Sequence, residues 1–266
     1  MSWRKFLAIP QLIWYGVRAP REQARAWDRF WSRVQKTGMG GDVIWDSASK
    51  EELDALREKV LAHFDRSLPV IDIGCGNGRQ ACLFAREFTK VIGVDLSPSA
   101  VRRAKEAANG IDNVEFFQSD AASAGSLRAL VKDKGDVNVH IRGVFHVLND
   151  EGRRALAKNI EEIAGQRGTV YLFETNIEGD PLDHLEFQGA TLTSMPDPLR
   201  RCIEAGIRPP SHFGDEQLRK YFPSRTWEVV ESGKTVAHGI PLHEGVELEH
   251  IPSYYAILKS RTRATA

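Results

Sequence analysis

Cysteine is scarce in this chain: Cys75, Cys82 and Cys202 are the only three in 266 residues. Their spacing fits neither a metal-ligand set nor a disulfide framework, which points to a reducing, cytoplasmic setting. No apolar run approaches the ~20 residues that a membrane helix needs. The stretch Phe6 to Val17 is interrupted by Pro10 and Gln11, and no small-x-small site follows it, so a cleaved signal is not expected. Net charge is also absent. The 36 Lys and Arg balance 36 Asp and Glu, which removes the global electrostatic case for a nucleic-acid partner. Internal repeats and low-complexity runs are missing. No histidine belongs to an H-E-x-x-H pattern. His238 and His243 have Gly239 and Pro241 between them, so they share no helix face, and His184, His212 and His250 are scattered. A metal is therefore not expected.

The neutral total hides an asymmetry. Residues 1–38 carry eight Lys or Arg against Glu22 and Asp28 alone, so the remainder is acidic. Residues 1–45 also hold five of the six tryptophans: Trp3, Trp14, Trp27, Trp31 and Trp45. From Glu22 to Val34, apolar residues recur at spacings of three and four, which predicts a helix. Two readings of this extension stand side by side, a lid closing over a site and a segment packed on the sheet. The basic, aromatic stretch from Trp3 to Arg18 has two of its own: weak contact with a membrane surface, or an arm on its own acidic domain. These features divide the chain into an N-terminal helical extension, 1–49, and one domain, 50–262.

Within that domain helices and strands alternate. Helix Lys50–Phe64 leads to strand Pro69–Ile73. Helix Gln80–Phe88 precedes strand Lys90–Val94, and helix Pro98–Ala108 precedes strand Val114–Gln118. Helix Ser126–Lys132 precedes strand Val137–Ile141, and helix Glu151–Ala164 precedes strand Thr169–Phe173. This alternation predicts a doubly wound α/β fold, a mostly parallel sheet covered on both faces. An insertion on the substrate side follows at about 175–213, with a short helix Leu199–Ala205. Helix Asp215–Tyr221 and strands Trp227–Glu231 and Ser253–Leu258 close the domain, the last two as an antiparallel pair.

The chemistry is concentrated in VIDIGCGNGRQACLFAREFTKVIGVD, residues 70–95. A strand runs into three alternate glycines, Gly74, Gly76 and Gly78. A helix follows, then a second strand ending in Asp95. Glycines let a backbone approach a ligand closely, and the helix start offers free N–H groups. An acid about 20 residues past the first glycine is placed to meet ribose hydroxyls, so an adenosine-containing cofactor is expected. Dinucleotide folds favour G-x-G-x-x-G, but Arg79 stands where the last glycine would be. The observed G-x-G-x-G, with Asp72 ahead of it and Asp95 after it, resembles the first two motifs of the class I S-adenosylmethionine (SAM) methyltransferases. Leu96-Ser97-Pro98, a helix start with Ser as N-cap and Pro at N1, agrees with that resemblance. So do NVEFFQSD at 113–120, DVNVHIRG at 136–143 and GTVYLFE at 168–174, which are similar to the third, fourth and fifth strands of the family.

The resemblance implies a Rossmann-like seven-stranded sheet with a final antiparallel strand, and SAM as cofactor. It assigns Gly74, Gly76 and Gly78 to the methionine half, and Asp72 to the loop or the amino group. Asp95 goes to the ribose diol, Leu96 to the adenine face, and Asp120 with Ala121 to the adenine edge. Arg142, Gly143 and His146 fall where the family places substrate groups. His146 is the candidate general base, since imidazole titrates near neutral pH. Arg142 is either a clamp for an acidic substrate or the cofactor carboxylate, or half of a structural ion pair. Neither the D/N-P-P-Y/F signature nor the Pro-Cys pair of nucleobase methylation follows the fourth strand, which favours a small, partly apolar substrate. Oxygen is the first acceptor to consider, then nitrogen or carbon. Two rivals stay open: a nicotinamide oxidoreductase on a related sheet, and a SAM-binding protein without catalysis. Oligomeric state is left open.

Overall fold

The computed structural model describes residues 22–179, 185, 187–190, 195–243 and 245–261. The Trp3–Arg18 arm, His184 and part of the 175–213 insertion lie outside the described residues.

Seven strands form one sheet in the order β3-β2-β1-β4-β5-β7-β6. They are β1 Val70–Ile73, β2 Val91–Asp95, β3 Val114–Gln118, β4 Asn138–Arg142, β5 Thr169–Thr175, β6 Trp227–Gly239 and β7 Glu249–Ser260. The first five are parallel, and β7 runs antiparallel to both β5 and β6. Described helices are α1 Gln23–Arg33, α2 Lys50–His63, α3 Arg79–Phe84, α4 Pro98–Ala107, α5 Ser126–Val131, α6 Asp150–Ala164, α7 Asp197–Ala205 and α8 Asp215–Tyr221. No helix among the described residues is long and apolar enough to cross a membrane.

The period-two alternation of the strands sorts the core into two layers. Ile71, Ile73, Ile92, Val94, Val139, Ile141, Val170 and Leu172 face α5, α6 and α8. Val70, Val91, Val114, Phe116 and Tyr171 face α2, α3 and α4. The same alternation turns Asn138, His140 and Arg142 of β4 toward this second layer. Asn138 is satisfied there by Asp65 and Thr169: its Oδ1 accepts from both backbone N–H groups, and its Nδ2 donates to the Asp65 carbonyl. A third cluster joins Phe30, Trp31 and Val34 to Ile44, Leu199, Cys202 and Ile251, so α1 packs over one end of the sheet.

Ser97 caps α4 through Ala100 N–H at 3.1 Å with Pro98 at N1, as its sequence predicts. Three elements depart from expectation. The helix predicted to reach Phe88 ends at Phe84, where Arg86 N–H and Glu87 N–H turn to carbonyls three residues back. Strands β6 and β7 are much longer than predicted. β6 lies at the sheet edge and is mostly exposed, so polar residues interrupt the apolar signal, and a bulge at Val229/Glu231 interrupts the register.

Gly93 fills a tight place in β2: an added Cβ would sit 2.3 Å from Phe116 Cδ1 and 3.2 Å from Cys75 Sγ. Gly93→Ala should therefore cost about 1–3 kcal/mol in urea unfolding, and Phe116→Leu in the same chain should recover part of it. An unchanged midpoint would mean that Phe116 moves aside without cost.

Candidate functional site

Strand order reverses at β1, with β2 on one side and β4 on the other, and a crevice opens beyond the carboxyl ends of the strands. A cavity of about 700 Å³ occupies it. Asp72, Gly74, Gly76, Asp95, Leu96, Asp120, Ala121, Arg142 and His146 all border this space. Of the residues singled out in the sequence, Gly78 alone does not.

Gly74 and Gly76 have positive φ, +74° and +52°, which disfavours other residues. Their side-chain space is taken by protein. A Cβ on Gly74 would lie 2.5 Å from Val144 Cγ2, and one on Gly76 would lie 2.9 Å from Trp31 Cζ2. Gly78 faces Ala104 and Phe116 in the same way. The glycine loop is thus pressed against α1 on one side while its backbone edges the cavity.

Asp95 holds the loop from β2. Its Oδ2 accepts from Gly76 N–H and its Oδ1 from Ser97 N–H, both at 2.9 Å. Burial pushes this carboxyl up to about 6. Backbone donors at Ser97 and Gly76 oppose the rise, and the negative charge of Asp72 adds to it. Asp120 closes its own turn, accepting from Ala122 N–H at 2.9 Å and Ser123 Oγ–H at 3.2 Å. Asp72 points its Oδ1 at His140 Nδ1, 2.7 Å away. Cys75 and Cys202 also border the cavity, but burial raises both thiols, Cys202 to about 12, so neither supplies a thiolate.

Of the two roles open to Arg142, the structure contains the ion pair. Its Nη2 lies 2.5 Å from Glu52 Oε1, and the guanidinium sits 5.5 Å from the Phe173 ring centre. Glu52 Oε2 also accepts from His238 N–H, which ties α2 to β6. Arg79 is likewise committed. It donates through Nε and Nη2 to Asp46 at 2.9 and 3.2 Å, and Asn77 donates to the same carboxylate at 2.7 Å. The residue that breaks the dinucleotide pattern is the anchor for the segment after α1.

His146 lies on a 3-10 turn, Phe145–Val147, just past β4. Its Nδ1 is 2.7 Å from Oε2 of Glu174, a wholly buried carboxylate at the end of β5. Glu174 also accepts from the N–H groups of Val144, Phe145 and His146 at 3.0, 3.0 and 3.1 Å. Thr175 N–H also lies 3.4 Å from Nδ1, but the 2.7 Å contact with the Glu174 carboxylate is much the shorter. With Nδ1 donating there, Nε2 keeps its lone pair, and it has no hydrogen-bond partner among the described residues. The sequence contained Glu174 as the last residue of GTVYLFE, one past the predicted strand Thr169–Phe173, but offered no sign of this pairing.

The walls beyond His146 are largely apolar: Phe173, Leu185, Leu199, Ile203, Ile207 and Ile251. Helix α1 and the segment after it complete the enclosure with Trp27, Trp31 and Trp45. Gln23 anchors the start of α1 by donating to the Gly206 carbonyl at 3.1 Å and accepting from Arg208 N–H at 3.3 Å. Asp28 anchors its middle by accepting from Ser97 Oγ–H and Ser99 N–H.

A family model described as methyltransferase domain matches residues 70–168. A protein of Geobacillus sp. (strain WCH70) named as a methyltransferase is 27% identical over 157 residues, 58% of this chain; the matched stretch spans 60% of that relative's length. A crystal structure of a SAM-dependent methyltransferase from Anabaena variabilis ATCC 29413 is similar over 91% of this chain and 97% of its own, at 26% identity and a TM-score of 0.76. The magnesium protoporphyrin IX methyltransferase of Synechocystis PCC 6803, solved with bound SAH, shares the fold at 18% identity and a TM-score of 0.52, over 80% of this chain and 83% of its own.

Glu174→Gln tests the buried hub. The new amide must turn its NH₂ toward a backbone N–H or toward Nδ1–H, so about 1–3 kcal/mol of stability should be lost. Nitrogen NMR should show the His146 tautomer shift toward Nε2–H. An unchanged melting curve and an unchanged ring spectrum would rule out Nδ1–H as the donor to Glu174.

Proposed function

Since the chain belongs to the class I SAM-dependent methyltransferases and takes SAM as its cofactor, we propose that it methylates a small, partly apolar molecule at an oxygen whose proton His146 removes. The observation that carries this reading is the His146–Glu174 pair on the border of a largely apolar chamber. The cofactor, when bound, supplies a methyl carbon on a positively charged sulfur, open to in-line attack. Asp95 keeps lone pairs for the ribose diol beyond its two backbone donors. Leu96 and Ala121 offer apolar contact to the adenine, and the Asp120 carboxylate is held at its edge by its own turn. The acceptor enters over β4 and β5, against Phe173 and the α7 side. There His146 Nε2 takes the proton, and the Glu174 carboxylate, held by its backbone hydrogen bonds, stabilises the imidazolium that forms. Arg142 contributes as a fixed wall, its charge balanced by Glu52. Trp27, Trp31 and Trp45 of the N-terminal segment exclude water as a lid.

The base is tested by His146→Ala. Turnover should fall about 10²–10⁴-fold while SAM affinity stays near wild type, and an acceptor that is already ionised should recover part of the rate. A stable, fully active His146→Ala protein would leave positioning and desolvation as the whole of catalysis.

Asp95 makes cofactor binding sensitive to acid. Burial raises the free carboxyl to about 6, and the ribose hydroxyls donate more strongly to its ionised form, so binding lowers that value. Affinity should hold above pH 6 and weaken as the pH falls through it, by about tenfold per unit. Calorimetry at pH 7.5 and pH 5 checks this. Equal affinities would place the diol away from Asp95.

A further inference from the structure

Asp72 and His140 are register partners on β1 and β4, the strand pair at which the sheet order reverses. Their side chains are 3% and 1% exposed, and both residues border the cavity. The His140 ring is held in place from two sides. Tyr171 stacks on it at 5.8 Å and 14°, and Phe84 meets it edge-on at 4.9 Å. One bond joins the pair, Nδ1 to Asp72 Oδ1 at 2.7 Å. Among the described residues two atoms have no partner, Asp72 Oδ2 and His140 Nε2. A buried polar atom without a partner is costly. With Nδ1 as the donor to Asp72, the pair leaves a carboxylate oxygen open two residues before Gly74.

We propose that His140 is a positioning residue for the cofactor: its Nδ1–H holds the Asp72 carboxylate turned so that Oδ2 receives the α-ammonium of SAM. The inference rests on the cofactor assigned above. Nothing in the proposed methyl transfer uses His140, yet its ring is fixed on both faces and its one donor is directed at a carboxylate bordering the cavity. Without the ring, Asp72 would be buried with neither of its oxygens hydrogen-bonded. Nothing would then hold Oδ2 toward the cavity, and the cation would lose a fixed acceptor.

The test compares two ligands by calorimetry. S-adenosylhomocysteine has the amino-acid end; 5′-methylthioadenosine keeps the adenosine and the thioether but lacks that end. Wild type should prefer the first. His140→Leu should weaken S-adenosylhomocysteine about 10–100-fold and leave 5′-methylthioadenosine within about twofold. Asp72→Asn should reproduce that selective loss. His140→Asn, whose amide N–H can replace Nδ1–H, should restore most of the preference. Should His140→Leu not fold, Asp72→Asn and His140→Asn carry the comparison, and loss of the preference in both or in neither overturns the proposal. Undiminished S-adenosylhomocysteine affinity in a folded His140→Leu protein overturns it too. So does an equal loss of both ligands, which marks His140 as a core residue only. If wild type binds neither ligand, the cofactor assignment itself fails and this inference falls with it.

Discussion

A carboxylate cut off from water has to find its donors within the protein, and Glu174 finds four. Three are consecutive backbone N–H groups of the turn after β4, and the fourth is the ring of His146. This single group fixes the turn to the end of β5. It is also the reason that a histidine on a short 3-10 turn has a defined ring orientation. The consequences extend outward. The His146 carbonyl accepts from Ser211 N–H at 2.8 Å and Ser211 Oγ–H at 2.6 Å, and the Phe145 carbonyl accepts from Arg153 Nε–H at 2.7 Å. The chain returning from α7 toward α8 is therefore tied to the turn that Glu174 holds, and one wall of the chamber depends on the same buried charge.

The segment from α1 to Asp46 spans the crevice from side to side. On the β2 side, Asp28 accepts from the start of α4, Trp31 covers Gly76, and Asp46 joins Asn77 and Arg79. On the opposite side Gln23 reaches Gly206, Arg201 pairs with Asp42 at 2.7 Å, and the Ile44 carbonyl accepts from Ile240 N–H at 2.9 Å. Burial works to raise the Asp28 carboxyl, but hydrogen bonds from Ser99 and Ser97 and the charge of Arg102 outweigh it and keep it below its usual range. A segment attached at both rims leaves the crevice only by breaking polar contacts on one of them.

Much of this was legible before the structure. Val70 to Asp95 announced a strand, a glycine turn, a helix and a strand tipped with an acid, because local rules suffice there: apolar runs, alternate glycines, an N-cap followed by proline. Strands β1 to β5 were read within two residues of their ends: β1, β2 and β5 are largely apolar runs, and β3 and β4 hold their places in the alternation of helices and strands. The edge pair was read short because β6 turns polar residues to solvent and its pattern fades. What was not legible depends on partners distant in sequence. Glu174 acts on residues about thirty positions away, Arg142 answers a glutamate on α2, and Arg79 answers Asp46. His140 was concealed differently. It alternates with Asn138 and Arg142 in a central strand, a polar pattern where a buried strand is usually apolar, and that anomaly was the available signal.

The electrostatics of the crevice follow from these pairings. Asp72, Asp95 and Asp120 border it from the ends of β1, β2 and β3, while the guanidiniums of Arg79 and Arg142 are each balanced by a carboxylate of their own. Asp72 is buried and its charge is screened little, whereas Asp120 is exposed to water. The raised Asp95 carboxyl is the visible result, since burial and the charge of Asp72 both oppose its ionisation. The charge of Asp72 repels that of Asp95. A ligand with positive charge relieves that repulsion as it binds, and its hydroxyl donors favour the ionised Asp95. Methyl transfer removes the sulfonium charge, so the attraction is greater before the reaction than after it. On the proposed reading the glycine loop borders the cofactor, and the acids at three adjacent strand ends favour its charged form over the discharged product.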